Sequence, residues 1–185
     1  MTRAWHRRCL LLLIAFSCLP VAAGAAEPLE LAVKAAYLYK LAPFVDWPAN
    51  EFAAADSPFD LCVIGDDPFG PVLDRVVTGQ RIDGHPIVVH RLPTAQRNSG
   101  CELAFVAGSK VQSAKDGLRQ LSGQPILTVT DNETTPGVVD FVIDEGRVRF
   151  RIDNQAAADN GLTISSKLLS LAVSVAPRRS RPTER

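Results

Sequence analysis

Histidine is scarce in this chain. Of three, only His85 and His90 lie beyond the first 26 residues. Neither has a companion at triad spacing, and no serine occupies a nucleophile elbow. Phosphate-cradling glycine loops are missing as well. Gly65-Asp66-Asp67-Pro68-Phe69-Gly70 sits between an apolar run and a helix-like stretch, but its glycines lack the spacing of dinucleotide or P-loop motifs. There is no excess of charge, since 20 Lys and Arg balance 20 Asp and Glu. Arg3, Arg7 and Arg8 open the chain, and Arg178, Arg179, Arg181 and Arg185 close it with Glu184. The remaining 13 basic residues face 19 acidic ones, so the body is mildly acidic, which argues against nucleic acid as a partner. The apolar run Cys9–Leu19 is too short to cross a bilayer. Internal repeats are absent.

What is there begins with an export pattern. A positive start precedes the run Cys9–Leu19, Pro20 breaks it, and Val21-Ala22-Ala23-Gly24-Ala25-Ala26 offers small residues for cleavage after Ala23 or Ala25. Residues 1–26 are expected to be a cleaved signal peptide and 27–176 a single exported α/β domain. Residues 177–185 are expected to be a basic, disordered tail. Phe16-Ser17 ahead of Cys18 does not suit a lipid anchor. Export of this kind is expected to place the domain in an oxidising compartment outside the cytoplasm.

Cysteine usage takes its meaning from export. Cys9 and Cys18 leave with the leader, while Cys62 and Cys101 remain, each in a short apolar run. In an oxidising compartment they are expected to form a disulfide, the alternative being two separate buried thiols. No histidine lies near either in sequence, so a metal site is not expected there; no cofactor is expected either, since the chain shows no cofactor-binding motif.

Leu31, Ala35, Leu38, Ala42 and Val45 recur at steps of four and three, which predicts a helix over Glu30–Val45 that Pro43 ends near Ala42. Phe59–Ile64 and Cys101–Val106 are near-continuous apolar runs, the pattern of strands buried on both faces. Gly70–Val77 predicts a short helix, Arg81–Gly84 a brief strand or turn, and Pro86–Leu92 a strand. Ser109 is expected to cap a helix to about Leu121, with Val111, Ala114, Leu118 and Leu121 inward and Gly123 as its stop. Pro125–Thr130 is the next strand. Val138–Ile143 and Arg147–Ile152 predict a hairpin around a three-residue turn, Asp144-Glu145-Gly146, finishing the sheet as an antiparallel edge. A short capped helix follows over Asp153–Gly161. An apolar helix through Leu162–Val173, capped by Ser165 or Ser166, ends the domain. The fold class is α/β: one layered domain with a mostly parallel mixed sheet flanked by helices, then a C-terminal hairpin and apolar helix.

Few residues suggest chemistry. Asp66 and Asp67 fit a turn and an N-cap. With Asp131 at a strand end, they form the alternative reading: a small-molecule binder or metal-dependent hydrolase at one sheet edge. His85 fits a loop, and His90 a solvent-facing strand position. Trp47, before Pro48, fits either a core plug or an exposed contact.

Lys34-Ala35-Ala36-Tyr37-Leu38-Tyr39-Lys40, Phe44-Val45-Asp46-Trp47-Pro48, Leu61–Gly70 and Ile126–Asp131 stand in an order that resembles the YfiR family. The most specific part is Val148-Arg149-Phe150-Arg151-Ile152-Asp153-Asn154, continued by Gly161-Leu162 and Ile164-Ser165-Ser166-Lys167-Leu168-Leu169. The resemblance spans roughly residues 30–175. It implies a periplasmic α/β protein that is not an enzyme. Its partner would be the periplasmic sensor domain of an inner-membrane diguanylate cyclase of YfiN type, which it restrains. A YfiB-type outer-membrane lipoprotein would sequester it, and a homodimer is implied. Cytoplasmic cyclic-di-GMP and biofilm formation would then fall under its control. Cys62 and Cys101 match one family disulfide, while the C-terminal pair of some members is lacking. The resemblance does not name the contact surface. Phe44 and Trp47, with Ile164, Leu168 and Leu169, are the expected anchors, as aromatic and aliphatic residues flanking the sheet; the alternative for the last three is that the end helix packs on the sheet as core.

Overall fold

The computed structural model of the protein describes residues 26–54 and 56–179. All but the last residue of the expected leader, and residues 180–185 of the expected tail, lie outside them.

Helix α1 (Ala26–Leu41) buries Ala35, Leu38 and Leu41 on one face. Pro43 cannot supply an amide to a continuing α-helix, and the chain tightens into a 3-10 turn over Ala42–Phe44. Strand β1 (Val45–Asp46) follows, then β2 (Phe59–Ile64), α2 (Pro71–Val77), β3 (Arg81–Ile82), β4 (His85–Leu92), β5 (Leu103–Val106), α3 (Ala114–Leu121), β6 (Leu127–Thr130), β7 (Val139–Asp144), β8 (Arg147–Asp153), α4 (Asn154–Asp159), β9 (Thr163–Ile164), α5 (Ser166–Leu171) and β10 (Ser174–Ala176). The main sheet has eight strands in the order β10-β8-β7-β6-β5-β2-β4-β3. Strands β4, β2, β5, β6 and β7 run parallel, while β8 reverses and β10 runs parallel to β8. The mixed α/β class expected from the sequence is what forms.

Both faces of the sheet are covered, which is why β2 is apolar almost throughout. Phe59, Leu61 and Val63 face the larger core, shared with α1, α2 and the hairpin. Cys62 and Ile64 face a smaller one under α3, with Ala104, Val106, Leu121 and Ile126. The disulfide joins Cys62 to Cys101 in this smaller core, with Cα atoms 5.9 Å apart. It sits where the apolar side chains are fewest.

Glu102, next to that bridge, is 8 % exposed. Its carboxylate accepts from the Asp60 amide at 2.5 Å. Burial pushes its pKa up to about 7; the Asp60 amide opposes this, and the Asp60 and Glu51 carboxylates add to it. A raised carboxyl pKa means that the folded protein holds the proton more tightly than the unfolded chain. Its contribution is fully present below about pH 4.5 and is lost as pH rises through about 7. Glu102→Gln is therefore expected to raise stability at pH 8 by up to about 3 kcal/mol and to change little at pH 4.5. Urea melts at the two pH values measure this, and an equal gain at both would show that the buried charge is not the cause.

Four expectations need correction. Helix α3 starts at Ala114, and its cap is Ser113, whose Oγ accepts from the Asp116 amide at 3.1 Å. Ser109 instead closes a turn onto the amides of Val111 and Gln112. Gln112 is tied to the Ala95 backbone at 2.7 and 3.2 Å, which holds the segment out of the helix and leaves Val111 exposed. The hairpin turn has two residues, not three. Asp144 pairs with Arg147, and Glu145 and Gly146 take φ of 50° and 71°, the left-handed pair whose twist suits a tight hairpin. The apolar stretch 162–173 is not one helix: it divides into β9, α5 and the approach to β10. Backbone pairing with β8 outweighs the helical pattern there: Val173 N donates to Phe150 O at 2.9 Å, and β10 pairs with Arg151–Asp153. The hairpin is consequently not the sheet edge, because β10 lies outside it.

Candidate functional site

The segments around Phe44 and Ile164, 120 positions apart, meet in space. Val45 pairs with Ile164 and Asp46 with Thr163 in an antiparallel two-strand clip. Ser165 N donates to Phe44 O at 2.9 Å, extending the clip by one bond. The Ser165 side chain also caps α5, accepting from Leu168 N at 3.3 Å. The clip and the cap together set the angle at which α5 leaves the sheet. Lys167 Nζ stands 5.3 Å from the Phe44 ring centre, within reach of a cation–π contact.

The five expected anchors divide by burial. Ile164 (5 % exposed) and Leu168 (2 %) are spent on the core. In this conformation neither presents a face to a partner, because β9 and the first turn of α5 must bury an apolar face to hold the clip. Phe44, Trp47 and Leu169 are half-buried and pack against that core from outside. Trp47 meets Phe59 edge-to-face at 5.4 Å between ring centres, so it is both plug and surface. Its indole Nε1 is enclosed and has no hydrogen-bond acceptor. An enclosed donor of this kind is costly, and it makes Trp47 the least satisfied member of the patch.

The carboxylates of the alternative reading go separate ways. Asp67 Oδ1 accepts from the amides of Phe69 and Gly70 at 2.7 and 3.1 Å, ahead of an α2 whose N-cap is Gly70. Its Oδ2 accepts from Arg91 Nε at 2.8 Å. Burial alone would raise the Asp67 carboxyl, but the guanidinium and the two amides hold it below its ordinary value. Asp131 Oδ2 accepts from Lys34 Nζ at 2.7 Å. Asp66 alone lines a shallow crevice of about 460 Å³ at the carboxyl ends of β2, β5 and β6, beside Ser109, Lys110 and Asn132. Among the described residues no group of three His, Cys, Asp or Glu side chains could hold a metal ion.

The two histidines among the described residues make contacts within the fold. His85 opens β4 rather than lying in a loop. Its ring nitrogen Nδ1 lies 2.7 Å from Ser57 O, and the ring stacks on Phe52 at 4.1 Å. His90 Nε2 meets Asp60 Oδ1 at 2.8 Å on a partly exposed strand face.

Two features escaped sequence reasoning. Lys34 is 4 % exposed and tied to both Glu30 and Asp131. Only its place one residue before Ala35, on the edge of the apolar stripe, hinted at burial. A concavity of about 730 Å³ lies between α1 and the β7–β8 hairpin. Its walls are remote in sequence, so no local pattern marks it.

No helix among the described residues is long and apolar enough to cross a membrane. No curated protein matches the chain. The model of the family described as YfiR/HmsC-like matches residues 31–173, which include the β1–β9 clip, both bridged cysteines and α5. A match over that much of the chain places this protein in the YfiR/HmsC-like family.

Proposed function

We propose that this protein is a periplasmic regulator that works by binding: it restrains the periplasmic sensor domain of an inner-membrane diguanylate cyclase and so lowers cyclic-di-GMP and biofilm formation. Family membership over residues 31–173 carries this reading, since the YfiR/HmsC-like family is regulatory rather than catalytic and belongs to the periplasm. Residues 1–26 serve as the export signal and 27–176 as the working domain. The bridge between Cys62 and Cys101 suits an oxidising compartment.

The physics of such restraint is linkage. A repressor that binds the inactive sensor conformation more tightly than the active one lowers the free energy of the inactive state by that difference, and by no more. An outer-membrane lipoprotein of YfiB type that competes for the repressor removes the bias. The contact surface in this reading is the patch of Phe44, Trp47 and Leu169 beside the clip. A second copy of the chain is the other partner the family suggests.

Deleting the gene is expected to raise cyclic-di-GMP several-fold, measured in cell extracts; an unchanged level would remove the proposal. With purified protein and the cyclase's periplasmic domain, Trp47→Ala is expected to weaken binding by about thirtyfold, the scale of an aromatic hot spot. Circular dichroism of the variant checks that it remains folded. Wild-type affinity in a folded Trp47→Ala protein would move the contact elsewhere.

A further inference from the structure

Strand β8 is only partly covered. Strand β10 pairs with it at Arg151, Ile152 and Asp153, and Val173 N reaches Phe150 O. From Arg147 to Arg149 the outer edge of β8 has no strand partner among the described residues. Asp144 and Arg147 flank a two-residue turn and exchange hydrogen bonds, so alternation along the ladder turns the N–H and C=O of Val148 outward. Phe150, two residues on, shows the same orientation, with its carbonyl taken by Val173.

This open edge runs along the trough of about 730 Å³. One wall is the α1 face carrying Leu29, Val33 and Tyr37, and the floor is Val148 and Phe150. Leu29, Ile143 and Leu171 stand on its rims at 67, 52 and 53 % exposure, three of the six large hydrophobics exposed among the described residues. Arg147 and Arg149 also line it, and neither has a carboxylate within 4.0 Å among the described residues. Glu30, the acidic residue of the lining, is already bound to Lys34.

We propose that this trough is a strand-addition site: it takes an extended segment of a partner protein, apolar at alternate positions and acidic between them. The proposal rests on the regulatory reading and names the chemistry its partner must present. An added strand answers the outward N–H and C=O of Val148. Its period of two then sets apolar side chains beside Val148, on the face of β8 that also carries Phe150, and acidic ones beside Arg147 and Arg149, on the other. An acyl chain covers the apolar wall but leaves the backbone groups of Val148 unanswered.

The test is a titration of the ¹⁵N-labelled mature protein with an acetylated, amidated hexapeptide alternating glutamate with valine. Amide shifts are expected to cluster at Val148, Phe150, Tyr37 and Leu171. A peptide with lysine in place of glutamate is expected to bind roughly tenfold more weakly, the scale of two lost ion pairs at a partly exposed rim. Arg147→Glu/Arg149→Glu is expected to reverse that preference. Val148→Pro removes an amide that makes no ladder bond and is expected to abolish binding; should it not fold, the arginine reversal decides. Absence of shifts at millimolar peptide, equal binding of the two peptides, or shifts at these amides with dodecanoate but not with peptide would each overturn the proposal. The titration needs no cyclase, so its failure leaves the regulatory role standing, and failure of that role leaves the titration's answer intact.

Discussion

Cys62→Ala/Cys101→Ala is expected to lose about 4 kcal/mol of stability, on the chain-entropy cost of closing a loop of this length. The bridged residues are 39 apart in sequence. For a domain of this size, the melting temperature is expected to fall by about 10 °C. The loss is large because of where the bridge lies. The core under α3 is built from small residues such as Ala95, Ala104 and Ala114, with Ile64, Leu121 and Ile126 as its larger members. Little apolar surface is buried there, so the cross-link contributes a large share of what holds α3 and the start of β5 against β2. Cys62 is fully buried and Cys101 is 3 % exposed, so a reductant reaches the sulfurs only when this face opens. Native protein in dithiothreitol is therefore expected to reduce slowly, and to speed up sharply in urea below the unfolding midpoint. Thermal melts of the double variant and timed thiol counts measure the two effects. Fast reduction without denaturant, or a double variant as stable as wild type, would mean that the bridge does not staple this face. A buried bridge of this kind is a brace, and redox control exerted through it would require partial unfolding.

Asp131→Ala is expected to cost about 3 kcal/mol, while Lys34→Met is expected to cost under about 1 kcal/mol. The asymmetry follows from exposure. Lys34 is 4 % exposed, and its ammonium lies between Glu30 and Asp131 at the junction of α1 with the end of β6. Burial alone would lower its pKa, but the two carboxylates more than offset this and hold it above its ordinary value. Removing Asp131 leaves a buried cation with one partner. Removing the cation leaves carboxylates whose side chains are 37 and 38 % exposed and can turn to water. Methionine fills the lysine stem's place in the core. Urea denaturation of both variants at neutral pH tests this, and equal costs would refute the burial argument. The pair matters beyond stability, because it seats the helix that forms one wall of the trough.

Segments whose neighbours are supplied by the chain nearby were legible. The apolar run Phe59–Ile64 is a strand over those very residues. Pro43 ends the first helix within one residue of the expected position. Ser165 caps a helix as expected, and Asp153 accepts from the amides of Gln155 and Ala156 at the start of α4. The misreadings fall where a distant partner decides. Ser109 lost its helix because Gln112 found the Ala95 backbone. Val173 left its helix because β8 offered an open carbonyl. Ile164 and Leu168 read from the sequence either as anchors or as core, and their burial beside the clip with β1 places both side chains in the core.

By itself, the order of residues determined the α/β class, the run of strands and helices from β2 to the hairpin, and the likeness to one family. These rest on period, capping and breakers, which act over a few neighbouring residues. The tertiary structure alone decided which cysteine faces which core, which apolar side chains remain at the surface, where Lys34 is buried and which strand edge stays open. Each depends on contacts between segments tens of residues apart, and the free energy of such contacts exceeds the local preference wherever the two compete.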